Sequence, residues 1–236
     1  MKRACLVLIL AGIAARPSVE AAGTVFTRGP ASCHAIAFTF DLCPVSEGTG
    51  FDAPLVSYLI EHHVPATFFA SGRWIETHDA EFRRLIAQPF FEVGTHGEAH
   101  AHMPRLSATA QAAEVAGPIR TLLERYRLSA TLFRPPYGEY NDTTVHVAEA
   151  AGQTTVMWSI VSGDPYKKLT TAAIVNDVVG RAKNGSVIIF HANGRGWRTK
   201  DILPLVYAQL VTTKGFAPKT ISGLRAGCAN ATAPLR

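Results

Sequence analysis

Short runs of β-branched and aromatic residues alternate along this chain with longer amphipathic runs, and that alternation limits its fold more than any other feature. The short runs are His34–Phe40, Ala66–Ala70, Phe91–Thr95, Thr131–Phe133, Thr154–Ile160, Ser186–Phe190 and Phe216–Thr220. Between them lie Ala53–His63, Ile75–Ala87, Ala108–Arg127, Thr143–Ala151, Thr171–Ala182 and Asp201–Thr212. Strands that alternate with helices of this length form βα units and a parallel sheet. A parallel sheet needs cover on both faces, so this order predicts an α/β fold with barrel-like closure. Within the longest helical run, Ala112, Val115, Ile119, Leu122 and Leu123 form a face that packs on the sheet, and Pro118 predicts a kink or a break there.

Size and composition agree with one domain. The 236 residues, 47% of them hydrophobic, can bury a full core, and no repeat or polar linker marks a second unit. Residues 1–22 have the zones of a secretory signal: Met1-Lys2-Arg3, the apolar run from Ala4 to Ala15, then Val19-Glu20-Ala21. The expected mature domain is therefore 23–236, exported to a periplasm or secreted. The apolar run is shorter than the roughly 20 residues a bilayer demands, so no stable membrane insertion is expected. Loss of Lys2, Arg3, Arg16 and Glu20 would lower the formal charge of +5 by two. Lys and Arg are scattered, without the basic stripe that nucleic acid requires. In an oxidising compartment the remaining cysteines, Cys33, Cys43 and Cys228, suggest one pair and one leftover. Cys33 and Cys228 lie near the two mature ends; Cys43 is the other candidate for pairing.

Polar residues sit at the ends of the strand-like runs. Asp41, His96, Arg134 and His191 each fall at or just beyond such an end, and Asp164 follows another. The C-terminal ends of barrel strands face one mouth, so these distant residues are expected to converge. His96 and His100, four apart beside Gly94 and Gly97, can turn two imidazoles toward one divalent ion, with His102 a competing candidate. In Arg134-Pro135-Pro136-Tyr137 the prolines stiffen the loop and direct the next free donor, the Tyr137 N–H, which suits an oxyanion. Asp164 within reach of His191 would raise the imidazole pKa and prepare a general acid.

Taken in order, Thr39-Phe40-Asp41, His96 to His100, Arg134 to Tyr137, Trp158 to Asp164 and Ile188 to His191 resemble the five motif regions of the polysaccharide deacetylase (NodB-homology) family of carbohydrate esterases. The resemblance spans roughly Cys33 to Ile221. It implies a distorted (β/α) barrel of about seven parallel strands and metal-dependent removal of acetyl groups from amino sugars. The expected substrate is a glycan, peptidoglycan or a chitin-like oligomer. Carried over by position, Asp41 is the general base, His96 and His100 are metal ligands, zinc first among candidates, and Arg134 holds Asp41. The Tyr137 N–H then helps bind the oxyanion, and Asp164 tunes His191 as the acid. Trp158, Trp197 and the loop Asn193-Gly194-Arg195-Gly196 are candidates for a sugar groove.

One departure stands out against that resemblance. The family's first motif usually carries a second aspartate after the base, as a third metal ligand, and then a glycine. Here the two positions are Leu42 and Cys43. Candidate substitutes are Asp41 itself, Cys43 as thiolate, Glu47, Glu98 or water. Two further readings stay open: a sugar-binding module without catalysis, and a hydrolase of another C–N or ester bond.

Overall fold

The computed structural model describes residues 24–46 and 48–228; the expected leader, 1–22, lies outside them. Eight strands form one sheet: β1 (Ala35–Leu42), β2 (Ala66–Ala70), β3 (Phe91–Thr95), β4 (Leu132–Phe133), β5 (Thr154–Thr155), β6 (Ile160–Val161), β7 (Ser186–His191) and β8 (Ala217–Pro218). Seven run in the spatial order β5-β4-β3-β2-β1-β7-β6, and every ladder is parallel. The short β8 pairs with Ala35 and Ile36 of β1, ahead of the point where β2 begins at Phe38.

Helices α1 (Ala53–Glu61), α2 (Gly72–Thr77), α3 (Asp79–Ile86), α4 (Ala108–Tyr126), α5 (Asp142–Ala150), α6 (Thr171–Arg181), α7 (Thr199–Tyr207) and α8 (Ile221–Arg225) fill the connections. Asp52, Ser71, Ser107, Asn141, Thr170 and Thr220 open six of them by accepting the N–H three residues on. A cap of this kind contributes about 1 kcal/mol. Among the described residues, no helix is long and apolar enough to cross a membrane.

Alternation along the strands sorts side chains between two cores. On β1, Ile36, Phe38, Phe40 and Leu42 enter the main core under the helices, as do Phe68 of β2 and Phe190 of β7. Ala35, Ala37, Phe69 and Val187 face the barrel interior, where Ile221 and Leu224 of α8 close the lower end. Successive strand residues point to opposite faces, so Asp41 and Leu42 are sent apart.

Two expected elements divide. The run from Thr154 to Ile160 changes partners: β5 pairs with β4, and β6 pairs with β7. The residues between cross the open side of the barrel, where Phe26 accepts from the Met157 N–H and donates to Thr155. That gap is the distortion in the barrel. The run Ile75–Ala87 is broken at His78, whose ring stacks on Trp74 at 4.7 Å and bonds the Thr49 carbonyl. By contrast, α4 continues through Pro118 as one helix. Cys33 and Cys228 form a disulfide across 195 residues, and Cys43 is free and buried.

Candidate active site

Backbone hydrogen bonds carry the sheet register past the strand ends. Ser71 donates to the Leu42 carbonyl, His96 to Ala70, Arg134 to Thr95 and Ala192 to Asp41. This sets the first residue after each strand in one layer at the mouth. A cavity of about 210 Å³ opens there, lined among others by Asp41, His96, His100, Tyr137, Asp164 and His191. Six of the seven expected site residues thus share one wall, and the seventh, Arg134, lies directly behind it.

Arg134 is fully buried and donates from Nη1 to Asp41 Oδ1 at 2.7 Å. Its other nitrogens donate to the Val156 and Met157 carbonyls, and its guanidinium lies 4.0 Å over the Phe69 ring. Burial favours a protonated Asp41, but the Arg134 charge and hydrogen bond, aided by His191, outweigh it and hold the carboxyl below its ordinary 3.8. Asp41 Oδ2 lies 3.6 Å from His96 Nε2.

His96 donates from Nδ1 to the Arg134 carbonyl at 2.8 Å, which leaves Nε2 as a lone-pair donor. Burial lowers its pKa, and burial with the neighbouring His96 takes His100 down to about 3. Both imidazoles are therefore neutral, with ring centroids 4.9 Å apart. His102 is turned elsewhere: its Nδ1 pairs with Glu139 at 2.7 Å, and its ring stacks on Tyr137 at 4.0 Å. Tyr137 has φ +59°, a left-handed conformation that turns the loop after the two prolines into the cavity wall.

The expected acid is held as tightly as the base. Asp164 Oδ1 accepts from His191 Nδ1 at 2.9 Å and from the Ser162 hydroxyl at 3.0 Å. Its Oδ2 accepts from the His191 N–H and from the Thr199 hydroxyl, both at 2.7 Å. A Cβ on Gly196 would collide with that carboxylate and with Thr199. Burial opposes a charged His191, yet the Asp164 charge and hydrogen bond prevail and raise its pKa above the ordinary 6.5.

The substitutes for the third ligand fare differently. Leu42 is fully buried in the main core. The buried Cys43 lines the cavity, where its Sγ accepts from Asn193 Nδ2 at 2.9 Å, and burial and the Asp41 charge push its thiol up to about 11. Glu98 is drawn away from the cavity: its Oε2 is wedged where a Cβ on Gly72 or Gly117 would collide with it. That oxygen has no hydrogen-bond partner among the described residues. Burial, then the Glu76 and Glu114 charges, raises the Glu98 pKa. Glu47 lies outside the described residues. Two neutral imidazoles beside a carboxylate fit a divalent ion in their chemistry. No group of three or more His, Cys, Asp and Glu is arranged to hold one among the described residues.

Glu114, in the middle of α4, was not legible as a site residue. Its carboxylate accepts from the Ala99 N–H at 3.0 and 3.3 Å, next to His100, whose φ is +59°. It holds the backbone that aims that imidazole. Nothing in the local sequence distinguishes it from a solvated helix glutamate.

A sequence profile of the polysaccharide deacetylase family matches residues 28–156. The chain belongs to that family. A peptidoglycan-N-acetylglucosamine deacetylase of Bacillus cereus is 28% identical over 76% of this chain and 82% of its own length. The uncharacterised protein YlxY of Bacillus subtilis is 24% identical over 78% of this chain, which spans only 56% of that relative. Among solved structures, a peptidoglycan N-acetylglucosamine deacetylase superposes with a TM-score of 0.78 at 25% identity, covering 86% of this chain and 93% of the other. A carbohydrate esterase family 4 pseudoenzyme from Bacillus anthracis shares the fold, with a TM-score of 0.76 at 22% identity over 86% and 69%. The distorted barrel of seven parallel strands is thus the fold of carbohydrate deacetylases.

Proposed function

We propose that this protein is an exported, metal-dependent hydrolase that removes acetyl groups from N-acetylated amino sugars of a cell-wall or other polysaccharide. One observation carries the reading: Asp41, paired with Arg134, and His191, hydrogen-bonded to Asp164, face the same cavity as the imidazoles of His96 and His100. A divalent ion held by His96 and His100, zinc by preference, would supply Lewis-acid polarisation of the acetyl carbonyl. Asp41 takes a proton from the attacking water, and its depressed pKa keeps it available as base. The Tyr137 N–H donates to the carbonyl oxygen as negative charge builds there. His191 keeps Nδ1–H on Asp164 and gives the proton of Nε2 to the departing amine. Exposed Tyr137, Tyr166 and Trp197 around the mouth offer faces on which sugar rings stack.

The test combines elemental analysis with acetate release from acetylated chito-oligomers and peptidoglycan fragments. Wild type should carry bound metal and release acetate, and His100→Ala should lose both; full metal and activity in His100→Ala would sink the assignment. A second reading, a glycan-binding member without catalysis, is favoured by Leu42, which the resemblance sets where a ligand is usual. It requires glycan binding by metal-stripped protein and no acetate from any substrate. Parallel assays on small amides and esters separate a third reading, hydrolysis of another C–N or ester bond.

A further inference from the structure

Beyond the reacting centre, a second cavity of about 280 Å³ opens beside the first, lined by Pro44, Val45, Ser46, Gly194, Arg195 and Trp197. The two cavities share one residue, Arg195. Its position is fixed from below. The Arg195 N–H bonds Asn193 Oδ1 at 3.2 Å, and the fully buried Asn193 donates to the Cys43 carbonyl at 2.7 Å. The loop after β7 is thereby stapled to the loop after β1, with Gly194 at φ +80° making the turn. The Arg195 side chain is exposed, and its guanidinium has no hydrogen bond or ion pair among the described residues. The carboxylates of the main cavity are already engaged, Asp41 by Arg134 and Asp164 by His191 and Thr199. On the far side stands Trp197, 51% exposed, with Lys167 Nζ 3.6 Å from its ring centroid. The second cavity therefore combines an aromatic platform with one cation, Arg195, while Lys167 touches that indole from outside the cavity lining.

We propose that Arg195 and Trp197 form a subsite for a carboxylate-bearing sugar, linked to the N-acetylated sugar that occupies the main cavity. This rests on the glycan reading above and narrows it to acidic glycans. The sugar's apolar face stacks on the indole. Its carboxylate meets the guanidinium, whose planar fork matches carboxylate geometry in a way that a neutral hydroxyl cannot. Cations at the mouth also draw an anionic chain inward, an effect that salt weakens.

The test is calorimetric binding of the N-acetylglucosamine–N-acetylmuramic acid disaccharide and of its carboxyl-reduced counterpart. A tetrasaccharide alternating N-acetylglucosamine with glucuronic acid serves as a second arm, which separates a lactyl ether from a uronate as the carboxylate source. Wild type should bind at least one carboxylated probe about tenfold more tightly than the reduced one, and high salt should erode the difference. Arg195→Gln should bring the carboxylated probe to the affinity of the reduced one. Equal affinities in wild type, binding of no probe, or discrimination that survives Arg195→Gln would each overturn the proposal. Acetate release from neutral chito-oligomers, measured alongside, reports separately on deacetylation: either result can fail while the other holds.

Discussion

Asp41 and His191 are register partners, directly opposite one another on the adjacent strands β1 and β7. The spacing of the candidate base and acid is thus set by sheet hydrogen bonds rather than by mobile loops. Both ionisations are displaced outward, Asp41 below 3.8 and His191 above 6.5. The pH profile of kcat/KM should therefore be a bell with its acid limb below pH 3.8 and its alkaline limb above pH 6.5. Asp164→Asn should draw the alkaline limb downward. Stability carries the same signs. The raised His191 pKa adds stability that is full below pH 6.5 and fades as pH climbs through the folded value. The lowered Asp41 pKa adds stability that is full above pH 3.8 and fades as pH falls. Denaturant titrations of wild type and Asp164→Asn on the alkaline side should show a smaller loss in the variant.

Arg134→Met should be among the costliest single changes. It leaves Asp41 buried without its partner, at about 3–5 kcal/mol, and should move the acid limb of activity upward. The double variant Arg134→Met with Asp41→Asn should lose less than the sum of the two single changes. Strict additivity in denaturation would show that the pair is not coupled.

Leu42 belongs to the core and not to the cavity. Leu42→Ala should lower stability by about 2–5 kcal/mol through the void it leaves. Metal content per folded molecule should stay unchanged. A selective loss of metal at intact stability would mean that the end of β1 turns toward His96 in solution.

Glu114 acts through the Ala99 N–H on the direction of His100. Glu114→Ala should weaken metal binding by about 10- to 100-fold, the usual effect of removing a group that orients a ligand. Glu114→Gln, which keeps an acceptor, should recover most of it. Equal losses in the two variants would point to charge rather than to hydrogen bonding, and metal titration distinguishes the cases.

By itself the sequence determined the strand and helix alternation, the parallel sheet it implies, and the polar residues at strand ends, because all three follow from side-chain periodicity and the common direction of parallel strands. β2 and β3 have the limits that their residues announce, Ala66–Ala70 and Phe91–Thr95. Only the tertiary structure decided what local pattern does not encode. The break between β5 and β6 depends on which strand is adjacent, and the pairing of Cys33 with Cys228 joins residues 195 apart. Glu98 swings between Gly72 and Gly117, and Glu114 reaches Ala99, because helices α2 and α4 pack beside that loop. The outward turn of Leu42 has the simplest cause: strand pairing continues one residue past Asp41, and the pleat then sends neighbouring side chains to opposite faces.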